Sequence, residues 1–186
     1  MKRIVILASG SGTLAQAIFD AKLDADIVAV ISDQKDAAVL ERAHTARIET
    51  FTIPILSDRT EWDRELETLI AALKPDLVVS AGFMRILSER ITSRFKIINS
   101  HPALLPLFPG AHAVRDALAA GATETGTTIH WVDAGVDTGK VIAQERVEIL
   151  PADTQESLHE RIKIVERGLI VATIASLLVT LEKTNG

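Results

Sequence analysis

The feature that most constrains this 186-residue chain is an alternation running through its first half. Short, β-branched, nearly all-apolar runs at 3–8, 27–32, 48–53 and 76–80 take turns with helix-patterned stretches at 13–22, 36–46 and 59–73. A strand that is apolar at every position has no face for water, so it belongs in a parallel sheet covered on both sides. The intervening helices supply that cover and the crossovers that parallel strands need. The third helix carries its own start and stop signals: Asp58 at the N-cap, Glu61 three residues on, and Lys74-Pro75 after its end. The pattern predicts an α/β fold, a doubly wound, mainly parallel open sheet of Rossmann-like type.

Past residue 95 the rhythm changes. A short strand at 96–98 leads into a loop at 99–110 stiffened by Pro102, Pro106 and Pro109, and a helix is expected at 113–120. Segments 127–133 and 140–147 read as two strands joined by a hairpin-like connection at 134–139, which predicts antiparallel strands near the C-terminal end. A closing helix is expected with Asp153 as N-cap and Glu156 three residues on, with Leu158, Ile162, Val165 and Leu169 recurring on one face. No repeat, low-complexity tract or linker interrupts the chain, so one domain over 1–186 is expected.

Composition then narrows the function. An apolar share of 47% and a charged share of 24% are ordinary for a globular chain. The absence of cysteine removes disulfides, thiolate nucleophiles and zinc–thiolate sites; it suits a reducing compartment as well as other places, and a cytoplasmic location is expected. Met1-Lys2-Arg3 ahead of Ile4-Val5-Ile6-Leu7 resembles the start of a signal peptide. The run breaks at Ser9-Gly10-Ser11-Gly12 with no long apolar region, which argues against that reading. The uncharged stretch 168–181 is too short to span a bilayer and reads as the buried end of a helix, so no membrane partner is expected. A net charge of −5 without a basic run argues against nucleic acid as a partner. Small anionic substrates remain open, because a local site can hold a phosphate inside an acidic protein.

Three places can carry chemistry. Ser9-Gly10-Ser11-Gly12-Thr13 follows the first strand and opens the first helix, where small residues let a phosphate approach backbone N–H groups at the positive end of the helix dipole. It lacks the third glycine of a dinucleotide fingerprint and the Lys-Ser/Thr of a P-loop. A ligand-free tight turn is the bland alternative. Asn99 and His101 lie just beyond the carboxyl end of a strand, where open α/β sheets bind ligands. Two apart on an extended segment, they project to one side, and both can donate to a developing oxyanion. The costly apolar loop that follows, Leu104-Leu105-Pro106-Leu107-Phe108-Pro109-Gly110, has to be shaping something. Asp137, in Val136-Asp137-Thr138-Gly139, reads equally as a turn residue or as a carboxylate folding back onto His101 to fix its orientation.

Weaker candidates surround these. His130 alternates with Ile129 and Trp131 and can face the site, and His112 adjoins the proline loop, whereas His44 and His159 read as exposed helix residues. Lys163 and Glu166, three apart on the closing helix, read as a surface ion pair or as ligands for a phosphate and for hydroxyls or an amine. No His, Asp or Glu group has metal-ligand spacing, so no metal is expected.

Taken in order, the motifs resemble the folate-dependent formyltransferases that act on glycinamide ribonucleotide in purine synthesis. The resemblance runs through Ser9-Gly10-Ser11-Gly12, Ala81-Gly82-Phe83-Met84-Arg85-Ile86-Leu87 and Asn99-Ser100-His101-Pro102-Ala103-Leu104-Leu105-Pro106. It continues through Phe108-Pro109-Gly110-Ala111-His112, Thr125-Gly126-Thr127-Thr128-Ile129-His130 and the stretch from Asp133 to Gly139, and ends at Arg161-Ile162-Lys163-Ile164-Val165-Glu166. It implies Asn99, His101 and Asp137 as the catalytic trio. It implies Gly10, Ser11, Gly12, Thr13, Leu14, Lys163 and Glu166 around the ribonucleotide. Arg59, Met84, Arg85, Ile86, Leu87, Asn99, Asp133 and Asp137 would contact the folate. Residues 1–98 would form a phosphate-binding half and 99–186 a catalytic and folate-binding half. The co-substrate implied is 10-formyltetrahydrofolate, and a cis Leu105–Pro106 bond is implied too. Two positions depart from the pattern: Leu14 stands where an Asn is typical, and Leu107 where a basic or polar residue is common. Related enzymes that formylate methionyl-tRNA or hydrolyse the folate share the trio but carry extra domains, and a non-enzymatic binding module is the rival from another class. The motifs leave the oligomeric state open.

Overall fold

The structure is a computed structural model, and it describes residues 1–183. Seven strands form one sheet: β1 (Lys2–Leu7), β2 (Ala25–Ser32), β3 (Thr50–Thr52), β4 (Leu77–Ser80), β5 (Ile97–His101), β6 (Glu124–Trp131) and β7 (Val141–Glu148). Around it lie helices α1 (Thr13–Asp20), α2 (Ala38–Thr45), α3 (Arg59–Leu73), α4 (Glu89–Thr92), α5 (Ala113–Ala119) and α6 (Gln155–Lys183). The spatial order is β3-β2-β1-β4-β5-β6-β7. Strands β1 to β5 pair in parallel, while β6 pairs antiparallel with both β5 and β7. The expected doubly wound sheet with antiparallel strands near its C-terminal end is the one observed.

Strand alternation explains the two-sided cover. Ile4 and Ile6 of β1 point to the layer that holds Ala15 and Ile18 of α1, Val39 of α2 and Ile170, Ile174 and Leu178 of α6. Val5 and Leu7 point the other way, onto Trp62, Leu66 and Ile70 of α3 and Ile91 of α4. A smaller cluster of Val114, Val147, Leu158 and Ile162 seals α5 and α6 against β7. The chain winds outward from β1 through β2 to β3, then returns to β4 on the other side of β1. The switch point between β1 and β4 opens a crevice at their carboxyl ends.

Several boundaries differ from the sequence expectation, each for a physical reason. Strand β6 begins earlier, at Glu124, with Gly126 inside it. A Cβ there would sit 2.1 Å from the Glu145 carbonyl oxygen, so this glycine serves close strand approach, not a turn. Strand β5 runs on to His101, which puts Asn99 and His101 within the ladder. The edge strand β3 keeps only three residues, and the single-turn α4 had no strong sequence signal.

Helix α6 starts at Gln155, so the cap is Thr154 rather than Asp153. The Ser157 N–H donates to Thr154 Oγ1 at 3.2 Å, and the Thr154 N–H donates to Ser157 Oγ at 3.0 Å. Asp153 is instead clamped by the Arg161 guanidinium at 2.5 and 2.7 Å. The helix is longer and more apolar than expected: Gln155–Leu181 has the length and hydropathy of a bilayer span. One of its faces lies on the core, through Ile170, Ile174 and Leu178, while Ile164 and Val179 are exposed, so the stretch 168–181 is buried on one side only.

Candidate active site

A cleft of about 690 Å³ occupies the switch-point crevice. Its walls are the β1–α1 loop, the segment after β4, the end of β5, the 132–137 loop and the first turns of α6. Its size suits a pair of small substrates.

At its floor Asn99 pairs in register with Ser80 of β4 and His130 of β6, and His101 with Thr128. The register sets His130 beside Asn99, whose Nδ2 lies 3.2 Å from His130 Nε2. His130 Nδ1 donates to the Trp131 carbonyl at 2.9 Å, which orients the ring and leaves Nε2 facing the site. His101 Nε2 donates to the Phe108 carbonyl at 2.8 Å, and its Nδ1 lies 3.3 Å from Asp137 Oδ2. Asp137 Oδ1 is also 3.5 Å from His130 Nε2, and the Gly110 N–H donates to Oδ2 at 2.8 Å. One carboxylate thus joins His101, His130 and the end of the proline loop. The turn reading of Asp137 and its pairing with His101 both hold, in one residue.

The 133–139 loop is bent to reach that far. Asp137 takes a left-handed φ of 54°, which aspartate tolerates better than most residues. Asp133 Oδ1 accepts from the Gly135 N–H at 3.0 Å and the Thr138 hydroxyl at 2.7 Å. Burial alone would push the Asp137 carboxyl up. Hydrogen bonds from His130 and the Gly110 N–H, with the nearby charges of His101 and His130, outweigh that and hold it below the usual carboxylate range.

At the other end of the cleft, Gly12 caps α1 with φ 73°, and a Cβ there would sit 2.6 Å from the Val39 side chain. The first-turn N–H groups of α1, at Thr13 and Leu14, have no acceptor within the helix and point where an anion is favoured. Gly10, Ser11, Gly12, Thr13 and Leu14 all line the cleft. The Leu14 side chain is buried in the core beside Ala15 and Ile18, so only its backbone is left to serve a ligand.

Lys163 and Glu166 also line the cleft, and they do not pair with each other. Lys163 Nζ contacts Glu160 at 2.7 Å, while the Ser100 hydroxyl donates to Glu166. Burial pushes the Glu166 carboxyl up, against the pull of Ser100, Lys163 and Arg167. His159, expected on the surface, is half-buried and lines the cleft beside Lys163. His44 and His112 are exposed and lie outside the cleft lining.

Met84, Arg85, Ile86, Leu87 and Asp133 line the remaining wall, with Met84 and Ile86 largely exposed. Arg59 is outside the lining; its guanidinium stacks on Trp62 at 4.5 Å and donates to the Ile86 carbonyl and to Asp63 at 3.0 Å. The Leu105–Pro106 bond is cis. Among the described residues no group of His, Asp or Glu is placed to hold a metal ion.

Sequence reasoning missed the Phe108 carbonyl, the Ser100–Glu166 contact and the two-sided role of His130. The alternation Ile129-His130-Trp131 offered a hint for the last, but only the β5–β6 register makes it a neighbour of Asn99.

Comparison with known proteins places the whole chain. Residues 2–174 match the formyl transferase family model. A phosphoribosylglycinamide formyltransferase of Mycobacterium tuberculosis is 49% identical over 182 residues, which span 94% of this chain and 84% of that protein. The Escherichia coli protein of the same name is 40% identical over 180 residues, 92% of this chain and 85% of that one. The crystal structure of glycinamide ribonucleotide transformylase 1 from Symbiobacterium toebii superposes with a TM-score of 0.91 at 40% identity, covering 94% of this chain and 86% of that one. Matched along nearly its whole length by family, sequence and fold, the chain is an enzyme that belongs to the formyl transferase family.

Proposed function

We propose that the enzyme moves the formyl group of 10-formyltetrahydrofolate onto the amine of 5-phosphoribosylglycinamide, a step of de novo purine biosynthesis in the cytoplasm. One observation carries the reading: Asn99, His101 and Asp137 line the same cleft as an open helix N-terminus, so groups suited to an oxyanion and to a phosphate share one cavity. The names of the relatives point to the same substrate.

The amine attacks the formyl carbon and forms the new C–N bond. The formyl oxygen gains negative charge and takes hydrogen bonds from Asn99 Nδ2 and His101 Nδ1, the His101 nitrogen whose 3.3 Å contact with Asp137 is loose enough to share. The attacking nitrogen loses a proton toward Asp137, directly or through water. The oxyanion then collapses, the bond between the formyl carbon and N10 breaks, and N10 takes up the proton that the amine gave to Asp137, leaving as tetrahydrofolate. The N–H groups of Thr13 and Leu14, with Lys163, bind the phosphate, and Glu166 holds the ribose or the amine. Residues 84–87 and the 133–137 loop hold the pterin, and Arg59, at the rim beside Ile86, meets the folate tail. The two halves, 1–98 and 99–186, each bring one substrate to the trio within a single domain.

Absorbance at the tetrahydrofolate product band tests the reading. Turnover of 10-formyltetrahydrofolate is expected only when 5-phosphoribosylglycinamide is present. Equal turnover without it would make the enzyme a hydrolase.

A further inference from the structure

Outside the trio, one buried carboxylate joins two walls of the cleft. Asp33, at the end of β2, is 3% exposed. Its Oδ1 accepts from the Ser9 hydroxyl at 2.6 Å, and its Oδ2 from Arg85 Nε at 2.7 Å and Gln34 Nε2 at 3.0 Å. Ser9 opens the β1–α1 loop, and its hydroxyl accepts in turn from the Met84 N–H at 2.9 Å. The Ser9 N–H donates to the Gly82 carbonyl at 3.1 Å. Arg85, whose position suggested a folate contact, spends its guanidinium on Asp33.

We propose that Asp33 is a positioning residue that ties the ribonucleotide-phosphate loop to the folate-binding segment 84–87, so that one carboxylate sets both subsites. The inference rests on the function proposed above. Loops on neighbouring strands would otherwise move independently; here a buried acceptor fixes both, so each substrate meets a subsite already held in its binding geometry. Burial alone would push the Asp33 carboxyl up, but Ser9, Gln34 and Arg85 outweigh it and hold the group charged at neutral pH.

Asp33→Asn keeps the size and removes the charge that holds Arg85. Steady-state kinetics on the intact enzyme are expected to show KM rising about tenfold for both substrates, with kcat falling less than about threefold, since a charged hydrogen bond is lost away from the reacting atoms. Ser9→Ala removes the Met84 bridge but leaves the Asp33–Arg85 pair, and should raise both KM values in the same direction by a smaller factor. It also keeps the test open if Asp33→Asn fails to fold. A rise confined to the folate KM would leave Asp33 as a partner of Arg85 alone and overturn the tie. A lower Tm with both KM values unchanged would make the cluster a structural ion pair and overturn it too. Failure of the functional reading would show differently, as wild-type enzyme indifferent to the ribonucleotide.

Discussion

At the scale of single residues, the proposed mechanism asks most of Asp137. Its carboxylate contacts two imidazoles and a backbone N–H, and its charge persists because those donors outweigh its burial. A depressed pKa means the charge is lost only as pH falls through a value below the ordinary carboxylate range, so Asp137 places no limb on the rate profile between about pH 5 and 8. Asp137→Asn keeps the shape and removes the charge. Its kcat is expected to fall about 10²-fold or more, with no recovery when the pH is lowered, because in the proposed mechanism the missing group is a proton acceptor as well as a partner of His101. Stopped-time product assays from pH 5 to 8 check this, and a variant with normal kcat would reduce Asp137 to a turn former. Asn99 and His101 were legible in the sequence because a two-residue spacing on an extended segment has one geometric consequence. The reach of Asp137 was only half legible. It depends on Asp133 gripping Gly135 and Thr138, and on Gly139, where a Cβ would lie 1.6 Å from the Trp131 carbonyl oxygen.

At the scale of elements, two helix starts govern the cleft. Gly12 holds a conformation that costs an L-residue about 1–2 kcal/mol, and it lies against Val39. Gly12→Ala should therefore lower Tm by several degrees, at about 2–4 °C per kcal/mol for a chain of this size, and raise KM for the ribonucleotide more than for the folate. Thermal melts and steady-state kinetics check both halves, and unchanged values would remove the loop from the phosphate site. The start of α6 depends on Asp153, whose carboxyl Arg161 holds well below the usual range, with help from the Leu150 N–H and Ser157. A group with a depressed folded pKa stabilises above its unfolded value and loses that contribution as pH falls through the folded one. The stability gap between wild type and Arg161→Met should be full at pH 7 and narrow below about pH 4, leaving the part due to the Glu148 carbonyl that Arg161 also binds. Urea melts at several pH values measure it, and a gap independent of pH would show that Asp153 is not the partner that matters. Helix and strand types were legible from periodicity. The one-residue error at the α6 cap arose because Asp153 and Thr154 are both good caps, and only the pull of Arg161 decides between them.

At the scale of the whole molecule, the chemistry depends on the winding order. Strand β1 sits between β2 and β4, so the loop after β1 and the segment after β4 meet over the crevice. The antiparallel pairing of β6 with β5 brings His130 beside Asn99 and carries the 133–137 loop back over the site. The alternation of apolar runs announced the doubly wound class. It carried no information on register or on how far a loop curls, because those depend on contacts between residues far apart in sequence. A cleft built this way should hold two substrates together and keep water from the formyl carbon. The most direct measurement is the product balance: mass spectrometry of an anaerobic mixture of enzyme, 10-formyltetrahydrofolate and 5-phosphoribosylglycinamide. The account predicts one formylated ribonucleotide for every tetrahydrofolate formed, with formate at background; formate in place of formylated ribonucleotide would contradict it.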